Sequence, residues 1–195
     1  VAKKLVLKNV RSSFLTLGEP EQYQGKGVFR WSASFLVKKG DPQQAMVDKA
    51  IAEVATEKWN AKGANFLKGI LGNKNLCCWL DGDIKSYDGY EGHFALSSHR
   101  PQDKGRPIVF DNDKSPIYRI DNTIYPGKEG RIYSGCFVNC EVELWAQDNA
   151  NGKAIRCSLL GIQRFKDGDA FGGGSRPDEN AFDEVEDGAD AEDLA

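Results

Sequence analysis

Seven cationic side chains fall between residues 100 and 131: Arg100, Lys104, Arg106, Lys114, Arg119, Lys128 and Arg131. Phe110, Tyr118, Tyr125 and Tyr133 lie among them or just beyond. Holding an unpaired nucleic-acid strand needs both kinds of group. Cations track the phosphates, and aromatic faces stack exposed bases at ~1–3 kcal/mol per base whatever the base. The candidate contacts for single-stranded DNA are therefore Arg100, Lys104, Arg106, Tyr118, Arg119, Tyr125, Lys128 and Arg131. Five acids share the segment (Asp103, Asp111, Asp113, Asp121 and Glu129), so the competing reading is a solvated loop face with core tyrosines.

Other chemistries find less support. Asp111 and Asp113 could serve a metal-dependent nuclease or recombination factor, which is the alternative function; Asp-Asn-Asp before Lys-Ser-Pro is also ordinary turn chemistry. Asp81-Gly82-Asp83 resembles the start of a calcium loop, yet Lys85 stands where an oxygen ligand is needed and Ser86 where the loop needs glycine. Cys136 and Cys140 have the look of zinc ligands. On a strand, four residues at ~3.3 Å each separate their Cα atoms by about 13 Å, too far for two sulfurs that must each lie ~2.3 Å from one ion. The cysteines read as small buried hydrophobes. The two histidines, His93 and His99, join no nucleophile or metal motif, so neither catalysis nor a metal or cofactor is expected.

The net charge of −3 conceals a division. Residues 177–195 carry nine of the 29 acids and no base, which leaves 20 acids against all 26 Lys and Arg in residues 1–176. A basic body joined to an acidic tail points to a polyanion ligand with self-screening. No apolar stretch approaches the ~18–20 residues of a membrane helix, so no membrane association is expected. The first ten residues contain no apolar core of the secretory type. An odd count of five cysteines fits reduced thiols in a cytosolic compartment.

The elements that must present these residues are mostly strands. Residues 3–17 alternate roughly and should form a strand ending at Gly18-Glu19-Pro20. Phe29, Trp31, Ala33, Phe35 and Val37 share one face of a second strand. Asp41-Pro42 reads as N-cap and first turn of an amphipathic helix running to Asn60 and ended by Gly63. Residues 64–72 form a short helical or irregular piece, 81–92 a loop, and 93–98 a strand, with short strands at 108–110 and 117–120. Cys136 to Ala146 and Ile155 to Phe165 form a hairpin around Asn151-Gly152. This order suits a mainly β fold: an OB-fold-like five-stranded barrel with an inserted α-helix and long loops. A β-sandwich with a helix is the alternative. The expected domains are a nucleic-acid-binding barrel over 1–166, a Gly-rich linker over 167–176 and a disordered acidic tail over 177–195.

Three stretches carry a family resemblance: KWNAKGANFLKGILGNKNLCCWLDGD, HRPQDKGRPIVFD and IYSGCFVNCEVELWAQDNANGKAIRCSLLGIQRFKDGDAFGGG. With the acidic end, they make the chain similar to phage replication single-stranded-DNA-binding proteins that pair an OB-fold with an acidic C-terminal tail. The resemblance implies a non-enzymatic, phage-encoded protein that coats single strands during DNA replication, recombination and repair in the bacterial host's cytoplasm. It also implies tail contacts with polymerase or helicase. Related tails often finish with an aromatic residue, whereas this one finishes Asp193-Leu194-Ala195 with Phe182 well inside. A tail on a tether can fill its own groove or that of a second copy, so a homodimer is compatible with the sequence.

Overall fold

The strand expected from Phe29 to Val37 is part of β2 (Lys26–Lys38), and its alternate side chains from Trp31 to Val37 are buried. In the computed structural model, which describes residues 2–172, β2 pairs antiparallel with β1 (Ala2–Tyr23). Gln24 and Gly25 join them, both at positive φ as a two-residue hairpin turn of matching twist requires. β1 continues past the expected stop at Gly18-Glu19-Pro20. Between Thr16↔Ser32 and Glu21↔Arg30 the register slips, so a bulge absorbs the turn-forming residues and pairing resumes. β1 also changes partner. Its first half, Ala2 to Arg11, pairs with β6 (Phe137–Asn149), and its second half pairs with β2. The register shift falls around Asn9, whose φ of 54° lies in the left-handed region that Asn tolerates.

The helix α1 (Pro42–Trp59) begins as the sequence predicts. The Asp41 carboxylate accepts from the Gln43 amide at 2.8 Å, and Val47, Ala50, Ile51, Val54, Ala55 and Trp59 face the core. Gly63 does not end the helical region. One 3-10 turn at 60–62 follows α1, and Gly63 then opens a second helix, α2 (Gly63–Ile70). It lies so close to the Ala55 carbonyl that a side chain there would collide with backbone. Glycine here permits the two helices to cross.

Three short strands complete the middle of the chain: β3 (Trp79–Asp81), β4 (His93–Pro101) and β5 (Ile108–Phe110). The strand expected at 117–120 is reduced to isolated bridges, Phe110↔Pro116 and Tyr118↔Ile124. β7 (Gly152–Lys166) returns along β6 as the expected hairpin. The sheet order is β3-β4-β2-β1-β6-β7-β5, and a parallel bridge from His99 to Ser158 joins β4 to β7. That bridge closes β1, β2, β4, β7 and β6 into a five-stranded barrel. Its interior holds Leu7, Phe35, Leu96, Val142, Leu144 and Leu159, each without measurable exposure. All five cysteines are buried and unpaired; burial pushes the Cys77 thiol up to about 11. Among the described residues, no helix is long and apolar enough to cross a membrane, and no three metal-ligating side chains converge. The expected acidic tail lies outside the described residues.

Candidate nucleic-acid interface

On β2 and β4 the alternation that buries Ala33, Phe35 and Leu96 turns Ser32, Ser34, Ala95 and Ser97 outward. These residues floor an open groove of ≈ 590 Å³. Phe14, Tyr23 and Tyr87 line it, each at least half exposed, together with Lys74 and Lys85. Phe14 stands out through its backbone. It sits at the β1 bulge with φ 48°, a conformation unusual for a bulky residue. Its ring meets Tyr87 edge-on at 4.9 Å and Tyr90 at 6.2 Å. Tyr90 is the buried foot of this cluster, 5.3 Å from Tyr87, and its hydroxyl donates to Ser13 Oγ at 3.4 Å. Burial raises its phenol above the ordinary value. At the far end, the Arg30 guanidinium lies 5.2 Å over Tyr23.

The loop carrying Tyr87 is tied down by the turn that resembles a calcium loop. Lys39 Nζ donates to Asp81 at 2.7 Å and to Asp83 at 2.5 Å. The Asp83 carboxylate also accepts from the Gly92 amide at 2.6 Å. Lys39 holds both carboxylates below the ordinary range. Asp167 to Gly172, which composition marks as linker, runs beside the groove, where Phe171 and Gly172 line a neighbouring hollow that shares Phe14, Tyr87 and Ser134 with it. Here Phe171 N donates to Ser134 O at 2.9 Å and Arg11 Nη2 to Asp169 O at 2.7 Å. Gly172 N donates to Asp88 Oδ2 at 3.0 Å, and the Phe171 ring lies 4.3 Å beneath the Arg11 guanidinium. The described chain therefore ends beside Phe14 and Tyr87.

The residues singled out in the sequence form four separate groups. Arg106 is anchored by Leu17 O and Gly18 O, both at 2.7 Å, and by Asn122 Oδ1, and it lies 4.4 Å over Tyr118. Tyr118 is half-buried and lines a second groove that shares Leu15, Thr16 and Ser134 with the first. Lys128 and Arg131 converge on the buried Asp111, at 2.8 Å each. The Arg131 guanidinium, with Lys128, holds that carboxyl well below the usual range. Asp113 accepts from Ser115 N and Oγ, closing its own turn. Arg119 lies 4.7 Å over the exposed Tyr125. Arg100 donates to Gly105 O and Lys104 O within its own turn, while Lys104 stands exposed 3.9 Å from Asp103. None of these cations lines the larger groove. The groove residues had partial signals in the sequence: Tyr87, Tyr90 and Lys85 form a local aromatic and basic group, and Phe14-Leu15 breaks the alternation of β1 as a bulge does.

A five-stranded barrel closed by a parallel pairing of its third and fifth strands is an OB-fold. That class binds oligonucleotides and oligosaccharides on the face of its second and third strands, here β2 and β4. The family model for the ssDNA-binding protein of Enterobacter phage Enc34 matches residues 3–194, and the chain belongs to that family. A protein designated p50 from Acyrthosiphon pisum secondary endosymbiont phage 1 is 41% identical over 184 residues, covering 93% of this chain and 94% of p50. The bacteriophage Enc34 single-stranded DNA-binding protein in complex with ssDNA superposes with a TM-score of 0.68 at 23% identity, covering 87% of this chain and 89% of that one. The single-stranded DNA-binding protein gp2.5 of bacteriophage T7 gives 0.55 at 14% identity, covering 95% and 100%. These two likenesses show a shared fold.

Proposed function

We propose that this protein binds single-stranded DNA without regard to sequence and without catalysis. One observation carries the reading: three exposed rings, Phe14, Tyr23 and Tyr87, stand over a hydroxyl-floored groove on the β2–β4 side of the barrel, with Lys74 and Lys85 at its edge. Rings held out to water with polar floors between them suit bases, which present a π-face and polar edges. The Arg119–Tyr125 pair and the Arg100–Lys104 turn serve as auxiliary contacts. The strand-coating role belongs to phage DNA replication, recombination and repair in the host cytoplasm.

The acidic residues 177–195 compete for the same groove and contact partner proteins such as polymerase or helicase. The position of Gly172 beside the groove supports the competition, because a short tether keeps a competitor near millimolar effective concentration. The division into a binding barrel over 1–166, a linker over 167–176 and a tail over 177–195 is part of this proposal.

Fluorescence anisotropy of labelled oligo-dT with the full chain and with residues 1–174 tests it. Both should bind, the shorter chain more tightly, with affinity falling steeply as salt rises. Absence of binding by both would overturn the reading.

A further inference from the structure

Two guanidinium groups on the outer barrel face are half-buried and, among the described residues, form no ion pair. Arg30 lies on β2 and Arg156 on β7, on either side of His99 on β4. The register places them: His99 stands opposite Ser32 and beside Ser158 at the parallel seam, and each arginine is two residues from one of those serines. Strand alternation therefore puts Arg30, His99 and Arg156 on the face that floors the groove. Arg30 stacks over Tyr23 at 5.2 Å, and Arg156 Nε donates to Gln147 Oε1 at 3.2 Å. Among the described residues neither joins an ion pair. Two acids stand near them: Glu21 lies across from Arg30 on β1 and shares a shallow groove with it without forming an ion pair, and Glu143 stands beyond Ser158 and opposite Lys4 on β1.

A partly desolvated cation without a counter-charge is unfavourable. Two of them flanking one seam ask for an anion. Their setting contrasts with Arg131, whose charge Asp111 already meets. Burial and the two guanidiniums also push the His99 imidazole down to about 4, so it is neutral near pH 7 and adds no charge of its own.

We propose that Arg30 and Arg156 form a phosphate-binding site at the β4–β7 seam, which receives the sugar–phosphate backbone of a strand whose bases lie on Phe14, Tyr23 and Tyr87. The inference rests on the single-strand reading above and extends it, since it makes the strand cross the barrel from the Phe171 side to the seam. Continuity with the groove favours a nucleic-acid phosphate as the anion, because Tyr23 lines the groove and carries Arg30 on its face.

The test uses the full chain and labelled oligo-dT over a salt series. Arg30→Gln and Arg156→Gln should each weaken binding about tenfold. Each should also reduce the slope of log affinity against log salt by ~0.7, the loss of one phosphate contact on a single strand. Lys49→Gln, on the exposed side of α1, should change neither. A second measurement needs no variant. The His99 ring resonances are titrated by NMR with and without saturating oligo-dT, using His93 as reference. A phosphate beside the ring should raise the His99 midpoint by a unit or more. Unchanged slopes in both variants, or an unmoved His99, with the wild-type chain still binding, would overturn the site. A wild-type chain that does not bind oligo-dT at any salt would overturn the single-strand reading itself.

Discussion

Replacing Phe14 by alanine and by glycine separates the structural and binding demands on this residue. At φ 48° a residue with a Cβ is strained by ~1–2 kcal/mol, and glycine is not. The ring is 55% exposed, so its loss removes little core. Its edge contacts with Tyr87 at 4.9 Å and Tyr90 at 6.2 Å are together worth about 1 kcal/mol at such a site. Phe14→Ala keeps the strain and loses the contacts, so it should destabilise by about 1 kcal/mol. Phe14→Gly also loses the contacts but releases the strain, against ~0.5–1 kcal/mol of extra unfolded-chain entropy. Glycine should therefore match or exceed alanine in stability by up to ~1.5 kcal/mol, the reverse of their usual order in a strand. Urea unfolding followed by tryptophan fluorescence reads this as the order of midpoints at constant slope. Both variants should bind oligo-dT about 5- to 150-fold more weakly, the loss of one stacked base. If alanine proves the more stable, the backbone argument fails. If both bind like the wild type, Phe14 stacks no base.

Asp111→Asn should destabilise by about 3 kcal/mol, the low end for a broken buried pair because Lys128 and Arg131 reach solvent. The folded carboxyl takes its proton well below the unfolded value of about 4. The contribution of this carboxylate is therefore complete above that pH and is lost as the pH falls below it. Urea midpoints between pH 6 and 3 should drop less steeply in the variant. Gly135→Ala would drive a Cβ into the Asp169 carbonyl at a glycine with φ 106°, so hydrogen exchange should show the Phe171 amide losing protection. A thiol reagent should label the folded protein slowly and all five cysteines in urea, because each is buried and burial raises the thiols of Cys77 and Cys140.

Elements set by local rules were legible in the sequence. Alternation marked β2 and the β6–β7 hairpin, and Asp41-Pro42 marked the start of α1, because each depends on neighbours a few residues away. The second half of β1 was not legible, since Gly18-Glu19-Pro20 carries turn chemistry and only pairing with β2 shows that a bulge absorbs it. Residue type identified Arg106, Lys128 and Arg131 as cations but could not reveal their partners. Those partners are the Leu17 and Gly18 carbonyls and Asp111, up to 89 residues away in sequence. The groove suffered likewise: Phe14 and Tyr87 share an edge contact that no periodicity links. Phe171 lies in a glycine-rich run that composition assigns to linker, yet its ring under Arg11 and the hydrogen bonds joining Phe171 to Ser134, Asp169 to Arg11 and Gly172 to Asp88 anchor that run.

The divided pairing of β1 has a consequence for the newborn chain. Ala2 to Arg11 finds its mate in Phe137–Asn149, so this stretch leaves the ribosome long before its partner exists. At ~5–20 residues per second, the wait is on the order of ten seconds. An unmated strand is a template for any passing edge, including that of a sister chain. Lys3, Lys4, Lys8 and Arg11 give that stretch four positive charges. Like charges in register would repel a second copy, and Glu141 and Glu143 on β6 meet Val6 and Lys4 when the proper partner arrives. Charges that in the finished fold meet Glu53, Glu57 and Glu143 thus guard β1 while it waits during synthesis.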